Sequence, residues 1–331
     1  MTTGDNGAVR RRIFLQATAA ASLIGLRPAA AQTSDWPRQP LRFVVPFPPG
    51  GSTDPVARII AAKLTETLGW NIVIDNKSGG AGVVGATFAA KQPADGYTWL
   101  VVFDNHILNP LFTPELPYKD SELAHVMQIG QTAQMIGCHP ARSYKTFADV
   151  VADAKQRPGR VTVSVLAASQ AFVLLTQMQK DNDYNMNVIP YKAGGPLLAD
   201  ALAGHTDMAM SSLAAMMPHV SAGKLRAIAV TGAQRSTVLP DTPTLAEQRV
   251  KAPASYAWWG VYAPAGTPRP IIERMHAEIG KALRSADVTK KFVDQFNMEI
   301  IASSPEAFAE FQKKEQAIWG KTIRENNLKP D

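Results

Sequence analysis

The sequence predicts an α/β protein of two lobes, each a sheet flanked by helices, with a ligand cleft between the lobes. Short β-branched runs alternate with helical stretches, which is the pattern of right-handed βαβ units and parallel strands. The alternation occurs in two series that are separated by apolar passages. About 300 residues follow the N-terminal segment, more than one hydrophobic core usually holds.

Residues 1–31 are predicted to form an export signal. Three arginines at 10–12 precede Ile13-Phe14-Leu15, and an Ala-rich apolar run ends at Ala31. The RRxFL arrangement resembles a twin-arginine signal that is cleaved after Ala31, and an ordinary Sec signal is the alternative. Either route predicts a periplasmic protein. No later stretch reaches the roughly 18 uninterrupted apolar residues of a membrane span.

The mature chain carries little net charge. Removal of residues 1–31 leaves 30 basic and 27 acidic side chains, and no cluster of Lys and Arg interleaves with aromatic residues. This excludes the usual footprint of a nucleic-acid-binding protein. Cys138 is the only cysteine, so no intrachain disulfide can form. We expect a freely diffusing monomer with no cofactor and no nucleic-acid partner.

The first series of elements supports the first lobe. Its strands are predicted at 41–45, 71–75 and 97–103, and its helices near 55–68 and 82–91. Asp54 and Pro55 are predicted as the N-cap and the first residue of the first helix. Gly69 is predicted to end that helix.

The second series begins with a helix at 146–156, where Thr146 and Asp149 are predicted to form a capping box. Strands and helices then alternate: strands at 161–165, 188–190, 206–210 and 225–231, and helices at 196–203 and 213–221. Apolar passages at 126–136 and 256–263 are predicted crossings between lobes. Helices at 269–284 and 305–326 follow. The resulting boundaries are 32–125 plus 262–331 for the first lobe and 126–261 for the second.

The loop at 46–53, PFPPGGST, leads from the first strand into the first helix. Its prolines fix the backbone, and its glycines let a ligand approach the main chain. Because the N-terminus of a helix favours negative charge, this loop predicts a binding site for small carboxylates.

A second glycine-rich loop, residues 78–85, contains G-x-G-x-x-G at Gly80, Gly82 and Gly85, and Asp104 ends the next strand. This spacing supports an alternative, an exported NAD(P)-dependent oxidoreductase. However, a whole strand-helix unit precedes the motif, and four residues separate it from its strand. The fingerprint normally follows its strand directly, so anion capture by backbone groups is the preferred hypothesis.

Three further strand-to-helix turns, at 104–106, 167–170 and 191–196, are placed to face the same cleft. Catalytic chemistry has little support, because the segment around Ser52 lacks the second glycine of a G-x-S-x-G elbow. The six histidines lack zinc-binding spacing. We therefore expect no catalytic residue, no metal and no enzymatic activity.

Several segments resemble one family: VVPFPPGGSTDPVARIIAAKL, DNKSGGAGVVGATFAA, ADGYTWLV, VIPYKAGGPLLADALAGHTDM, AGKLRAIAVTGAQRS and APAGTPRPII. They resemble the Bug family, the extracytoplasmic solute-binding proteins of tripartite tricarboxylate transporters, over essentially the whole mature chain. The resemblance implies a two-lobed, hinge-closing periplasmic binding protein, type II-like, that hands a small carboxylate to membrane permease subunits.

The resemblance also implies a set of ligand-binding residues on the matching loops. These are Phe47, Pro48, Gly50, Gly51, Ser52 and Thr53; Ser78, Gly79, Gly80 and Ala81; Asp104, Asn105 and His106; and Lys192, Ala193 and Gly194. Ala168, Ser169 and Gln170 join them as the turn after the strand at 161–165. Asp207, which matches the family's acid after the Gly-x-x turn, completes the set, and a structural or hinge-side role is expected for it.

Departures from the family pattern concern the ligand. The stretch 164–175, SVLAASQAFVLL, is apolar where the family usually has small polar residues, and Ser211 stands where an Asp is frequent. The resemblance therefore points away from citrate and towards a monocarboxylate or an aromatic acid. Asp104 stands where a Ser or Thr is frequent and is hypothesised to meet a ligand amine or ring nitrogen. A ligand sensor without a transport role, and hence without a permease, is a further alternative.

Overall fold

The computed structural model describes Met1, residues 36–113 and residues 115–329. The chain divides into two compact units, Met1–Arg38 and Gln39–Asp331. The first contributes only Met1 and residues 36–38 to the described part, with a cis peptide bond between Trp36 and Pro37. Residues 2–31 of the predicted export signal lie outside the described residues, so that assignment stays a prediction.

The second unit contains strands and helices in the alternating order that the sequence predicts. The strands of the described part are β1 (Leu41–Val45), β2 (Ile72–Asn76), β3 (Thr98–Phe103), β4 (Leu123–Cys138), β5 (Thr162–Leu166), β6 (Asn187–Tyr191), β7 (Met208–Ser212), β8 (Arg226–Val230), β9 (Tyr256–Pro264) and β10 (Glu299–Ile300). The α-helices are α1 (Thr53–Leu68), α2 (Val83–Ala90), α3 (Asn109–Phe112), α4 (Phe147–Gln156), α5 (Gln170–Asp181), α6 (Gly194–Ala203), α7 (Leu213–Ser221), α8 (Arg269–Arg284), α9 (Ala286–Phe296) and α10 (Pro305–Glu325). Short 3-10 turns lie at Gly80–Gly82, Asp104–Ile107 and Asp120–Glu122.

The strands form one mixed sheet in the order β2-β1-β3-β9-β4-β7-β5-β6, and β8 and β10 also pair with β4. β1 is parallel to β2 and β3, and β5 is parallel to β6 and β7. The two long strands β4 and β9 pair antiparallel and join these parallel sets. The α/β class is therefore confirmed, and both predicted crossing passages are strands.

The lobe boundaries remain a prediction. β10, which belongs to the predicted first lobe, pairs with Gly130 and Gln131 of β4, which belong to the predicted second lobe. The C-terminal part of the chain thus packs on the strand that joins the two parallel sets.

Helix α1 shows how the local sequence forms an element. Apolar residues at helical spacing, from Val56 to Leu64, are buried against the sheet, and Gly69 ends the helix at φ 68°. Each buried aliphatic side chain contributes roughly 1.5–3 kcal/mol. The predicted N-cap is wrong: Ser52 is the N-cap, because the Asp54 carboxylate instead accepts hydrogen bonds from Arg58 and Asn76.

The sheet order creates two positions at which ligands are usually bound. From β1 the chain continues to β2 on one side and then to β3 on the other, and from β5 it continues to β6 and β7 in the same way. In open α/β sheets, ligands bind beyond the carboxyl ends of the strands at such switch points. None of the helices in the described residues has the length and apolar character that a membrane crossing requires.

Candidate ligand-binding site

A small cavity lies where the two switch points meet. It has a volume of about 30 Å³, above the roughly 10–15 Å³ that a cavity needs to hold a water molecule. Its walls come from the ends of β1, β3, β5 and β7 and from the starts of α1, α6 and α7. The lining residues are Phe47, Gly51, Ser52, Thr53, Phe103, Leu166, Gly194, Ser211 and Ala215.

The cavity is small because the starts of α1 and α6 touch each other. A Cβ added to Gly194 would lie 3.6 Å from the Cα of Gly51, and one added to Gly195 would lie 3.8 Å from the carbonyl oxygen of Pro49. The two loops therefore approach each other closely in this structure. A ligand of several non-hydrogen atoms requires them to separate before it enters.

The same two helix starts favour an anion. α1 has 16 residues and α6 has 10, and neither N-cap residue, Ser52 or Ala193, makes a side-chain cap hydrogen bond. Within the described residues, the amides of Gly51, Ser52 and Gly194 have no backbone acceptor. Residues with free N–H groups at the N-termini of two helices thus line one cavity, where the helix fields stabilise negative charge.

Asn76 holds the first loop in place. Its Nδ2 donates to the carbonyl oxygen of Phe47 at 2.9 Å and to Asp54 Oδ1 at 2.8 Å. Arg58 Nε donates to Asp54 Oδ2 at 2.7 Å, so the Asp54 charge is balanced locally. Sequence reasoning missed Asn76, although a polar residue at the end of β2 and beside the glycine-rich loop is a signal that could have found it.

The second glycine-rich loop supports the first loop from behind. Residues 79–82 all have positive φ, and the Ala81 carbonyl accepts hydrogen bonds from the side chains of Asn105 and Asn109. A Cβ on Gly82 would lie 3.4 Å from the Phe47 ring. Ser78, Gly79, Gly80 and Ala81 are therefore absent from the cavity lining, and their loop packs behind Phe47.

The sheet order gives the nucleotide alternative no support. The G-x-G-x-x-G segment follows β2, which is the edge strand of the sheet. A dinucleotide-binding fingerprint instead follows the central strand at the switch point, which here is the position of β1.

The turn after β3 is buried below the cavity, and Phe103 rather than Asp104 lines it. Asp104 is fully buried, and neither carboxylate oxygen has a well-formed hydrogen bond within the described residues. Burial raises the pKa of Asp104 well above its usual value, although the nearby amide of Gln170 opposes this shift. Asn105 bonds to the glycine-rich loop, as described above.

His106 occupies an aromatic environment. Its ring stacks on Tyr118 and tilts against Tyr262, at centroid distances of 5.9 and 4.8 Å. The Tyr118 hydroxyl lies 3.4 Å from His106 Nδ1. Burial lowers the pKa of His106 to about 4, so the ring is neutral near pH 7. This histidine packs behind the site and does not line the cavity.

The turn after β5 presents Leu166 to the cavity. Ser169 is the N-cap of α5: its Oγ accepts from the Phe172 amide at 3.2 Å and donates to the Leu166 carbonyl at 2.7 Å. Gln170 Nε2 donates to the carboxylate of Glu315 on α10. Ala168, Ser169 and Gln170, predicted to face the ligand, are thus absent from the lining, and both polar side chains have other partners.

The remaining predicted residues lie at opposite ends of the parallel strands β5, β6 and β7. Gly194 lines the cavity, Ala193 precedes it, and Lys192 is exposed. Asp207 does not join the site, because it precedes β7 at the opposite end of the strand. There its carboxylate accepts from the Thr162 amide at 2.7 Å and from Arg142 Nε at 2.8 Å, contacts that give it a structural position.

Other features of the described chain do not compete with this cavity. A hollow of about 750 Å³ lies between α4 and α5, with Lys155, Lys180 and Tyr184 in its walls, but it is open to solvent and away from the carboxyl ends of the strands. Among the described residues, no three His, Cys, Asp or Glu side chains come together as a metal site.

The family is decided by a match over residues 56–328 to the model of the tripartite tricarboxylate transporter family receptor. The chain belongs to this family. The chain is 35% identical to BugT of Bordetella pertussis over 306 residues, which are 91% of this chain and 93% of BugT. It is 31% identical to a UPF0065 protein of Pseudomonas sp. strain P51, over 96% of this chain and 95% of that protein.

Solved structures agree with this assignment. The receptor superposes on Rpa4515 of R. palustris, solved with adipate, with a TM-score of 0.86 and 31% identity over 90% of this chain and all of that one. BugD, a periplasmic binding protein, shares the fold with a TM-score of 0.83 at 24% identity, over 89% of this chain and 99% of BugD. The predicted family and the periplasmic-binding-protein fold are therefore confirmed. Proteins of this family are periplasmic solute-binding receptors.

Proposed function

We propose that this receptor captures a small organic carboxylate in the cleft and passes it to the membrane permease subunits of a tripartite transporter. The observation that carries the proposal is the meeting of two uncapped helix N-termini, those of α1 and α6, at one cavity. The adipate bound to the R. palustris relative supports the same ligand chemistry.

Hydrogen bonds and helix-terminus fields can supply the free energy of carboxylate binding without a cationic side chain in the cavity. A micromolar affinity corresponds to about 8 kcal/mol, and each charge-assisted hydrogen bond contributes roughly 1.5–3 kcal/mol. The amides of Gly51, Ser52 and Gly194 and the hydroxyls of Ser52 and Thr53 offer several such bonds to one carboxylate. Each helix terminus adds about 0.3–1 kcal/mol, and association entropy offsets part of the sum.

The cellular setting follows from the same proposal. The chain is exported by its twin-arginine signal, is cleaved after Ala31, and acts in the periplasm as a monomer without a cofactor. A permease partner would distinguish a transport receptor from a sensor. A sensor module would hold its ligand in the same way but would deliver it to no membrane partner.

Thermal unfolding of the chain from Gln32 tests the proposal against a panel of mono-, di-, tri- and aromatic carboxylates, with NAD(P) included. A ligand that binds only the folded state adds about 2.7 kcal/mol of stability at a hundredfold excess over its Kd. We expect at least one carboxylate to raise the midpoint. A rise with NAD(P) alone would overturn the proposal in favour of an exported oxidoreductase.

A further inference from the structure

The residues that complete the cavity lining carry no charge. Besides Phe47, Gly51, Ser52, Thr53 and Gly194, the lining consists of Phe103, Leu166, Ser211 and Ala215, and we call these four residues the distal wall. All nine lining residues belong to the described part of the chain, and none of them is an Arg, Lys, His, Asp or Glu. A carboxylate held at the helix N-termini would therefore direct the rest of the ligand against an uncharged surface.

The distal wall is apolar because nearby polar groups are engaged elsewhere. Ser169 caps α5 and bonds to the Leu166 carbonyl, and Gln170 bonds to Glu315. On the other side, the Phe103 ring packs against Trp259 at a centroid distance of 5.5 Å. The Ser211 hydroxyl is the one polar side-chain group that the distal wall contributes.

A second carboxylate at this wall would lack the partners that a buried charge requires. A buried carboxylate needs hydrogen bonds or an opposite charge to replace its water, and one serine hydroxyl supplies a single donor. An apolar ligand body instead gains free energy when it is buried against Phe103, Leu166 and Ala215. The two ends of the cavity thus differ in the chemistry that they accept.

We propose that the distal wall makes this receptor selective for ligands with one carboxylate and an uncharged, apolar body, aliphatic or aromatic, over dicarboxylates of matched size. Leu166 and Ala215 are the specificity-determining residues. The inference rests on the proposed function, since it assumes that a carboxylate is held at the starts of α1 and α6. By this inference, the ligand preference of this receptor differs from that of the R. palustris relative, which was solved with the dicarboxylate adipate.

Titration calorimetry with three matched pairs tests the selectivity: butyrate and succinate, hexanoate and adipate, and benzoate and terephthalate. In the pair that binds most tightly, we expect the monocarboxylate to bind at least about tenfold more tightly than the matched dicarboxylate. A tenfold difference in Kd corresponds to the cost of leaving one buried polar group unpaired. Equal or tighter binding of the dicarboxylate would overturn this inference and leave the proposed function intact. Binding of no carboxylate would overturn both.

Two variants locate the selectivity on the distal wall. Leu166→Asn introduces an amide donor, and Ala215→Ser introduces a hydroxyl without a large change in volume. Each variant is expected to lower the ratio of the dicarboxylate Kd to the monocarboxylate Kd by threefold or more. Leu111→Asn is the control, because Leu111 packs beside Gly320 outside the cavity, and it should leave the ratio unchanged. A ratio that stays constant in both wall variants would overturn the assignment of Leu166 and Ala215.

Discussion

Gly51 and Gly194 face each other across the cleft, so close that a Cβ on Gly194 would lie 3.6 Å from the Gly51 Cα. They come from the starts of α1 and α6, which belong to different parallel sets of the sheet. Because neither residue has a side chain, the two helix N-termini come close enough to act on one bound anion. The pair therefore sets how completely the cleft closes.

A larger side chain at position 194 is expected to hold the cleft open. Gly194→Leu should weaken carboxylate binding by at least about tenfold, because the helix starts can no longer meet around the ligand and exclude water. Gly194→Ala is the matched control, since its Cβ would stand at an ordinary contact distance. Titration calorimetry measures both affinities, and equal losses in the two variants would contradict this role of the glycine pair.

Ser52 and Ser169 are expected to affect different properties, although both are helix N-caps. Ser52 makes no cap hydrogen bond, so Ser52→Ala should leave stability nearly unchanged but weaken carboxylate binding by roughly 1.5–3 kcal/mol. Ser169 caps α5 through the Phe172 amide. Ser169→Ala should therefore lower the free energy of unfolding by about 1 kcal/mol and leave the affinity unchanged.

Thermal unfolding and calorimetry on the two serine variants together separate these effects. A large loss of affinity in Ser169→Ala, with Ser52→Ala unaffected, would show that the ligand lies against the turn after β5 instead of the start of α1.

Replacement of the buried Asp104 carboxylate is expected to stabilise the protein above neutral pH. Its pKa is raised by burial, so the folded state keeps a proton that the unfolded state has already released. Stability therefore falls as pH rises from the unfolded pKa, near 3.9, towards the folded one. Asp104→Asn mimics the protonated form and should raise the free energy of unfolding at pH 8 by about 1 kcal/mol or more.

The pH profile of unfolding for Asp104→Asn should lose part of the decline in stability that the wild type shows as pH rises above the unfolded pKa of Asp104. A variant that is less stable than the wild type at pH 8 would show that the charged carboxylate is favourable in the fold. The same variant tests the hypothesis of a ligand amine, since loss of affinity only for amine-bearing acids would support that contact.

His106 is expected to make the protein sensitive to acid. Burial lowers its pKa from 6.5 to about 4, so the unfolded state binds a proton that the folded state does not between these values. Stability is therefore lost as pH falls from about 6.5 to about 4, by an amount on the order of 3 kcal/mol. His106→Phe keeps the aromatic contacts and should flatten this part of the profile, whereas an unchanged slope would assign the acid sensitivity to other groups, such as the half-buried His125.

Local patterns in the sequence predicted most of the fold. The capping box of Thr146 and Asp149 starts α4 as predicted, and Gly69 ends α1 in the left-handed conformation. α5 was missed, because its first turns are a continuous run of buried residues from Gln170 to Leu175, which hides the helical spacing. A helix that is buried all round cannot be distinguished from a strand by its pattern.

The loops that the sequence analysis named lie around the cavity, although several of their named residues do not line it. The turns after β1, β3, β5 and β6 all supply or adjoin the cavity, yet Phe103 and Leu166 line it in place of Asp104 and Ser169. Successive residues of a strand point to opposite sides, so Phe103 at the end of β3 lines the cavity and the adjacent Asp104 does not. Leu166 ends β5, whereas Ser169 lies in the turn that follows and caps α5. The close approach of α1 and α6 depends on packing between distant segments, which local patterns do not contain.

The central claim is that backbone groups at the starts of α1 and α6 hold a carboxylate. Titration calorimetry of the chain from Gln32, with each carboxylate of the panel and its uncharged amide counterpart, tests this claim most directly. The account predicts that at least one carboxylate binds and that its amide binds at least about tenfold more weakly, because the helix termini act on the charge. Equal affinity for the amide, or no binding of any carboxylate, would contradict it.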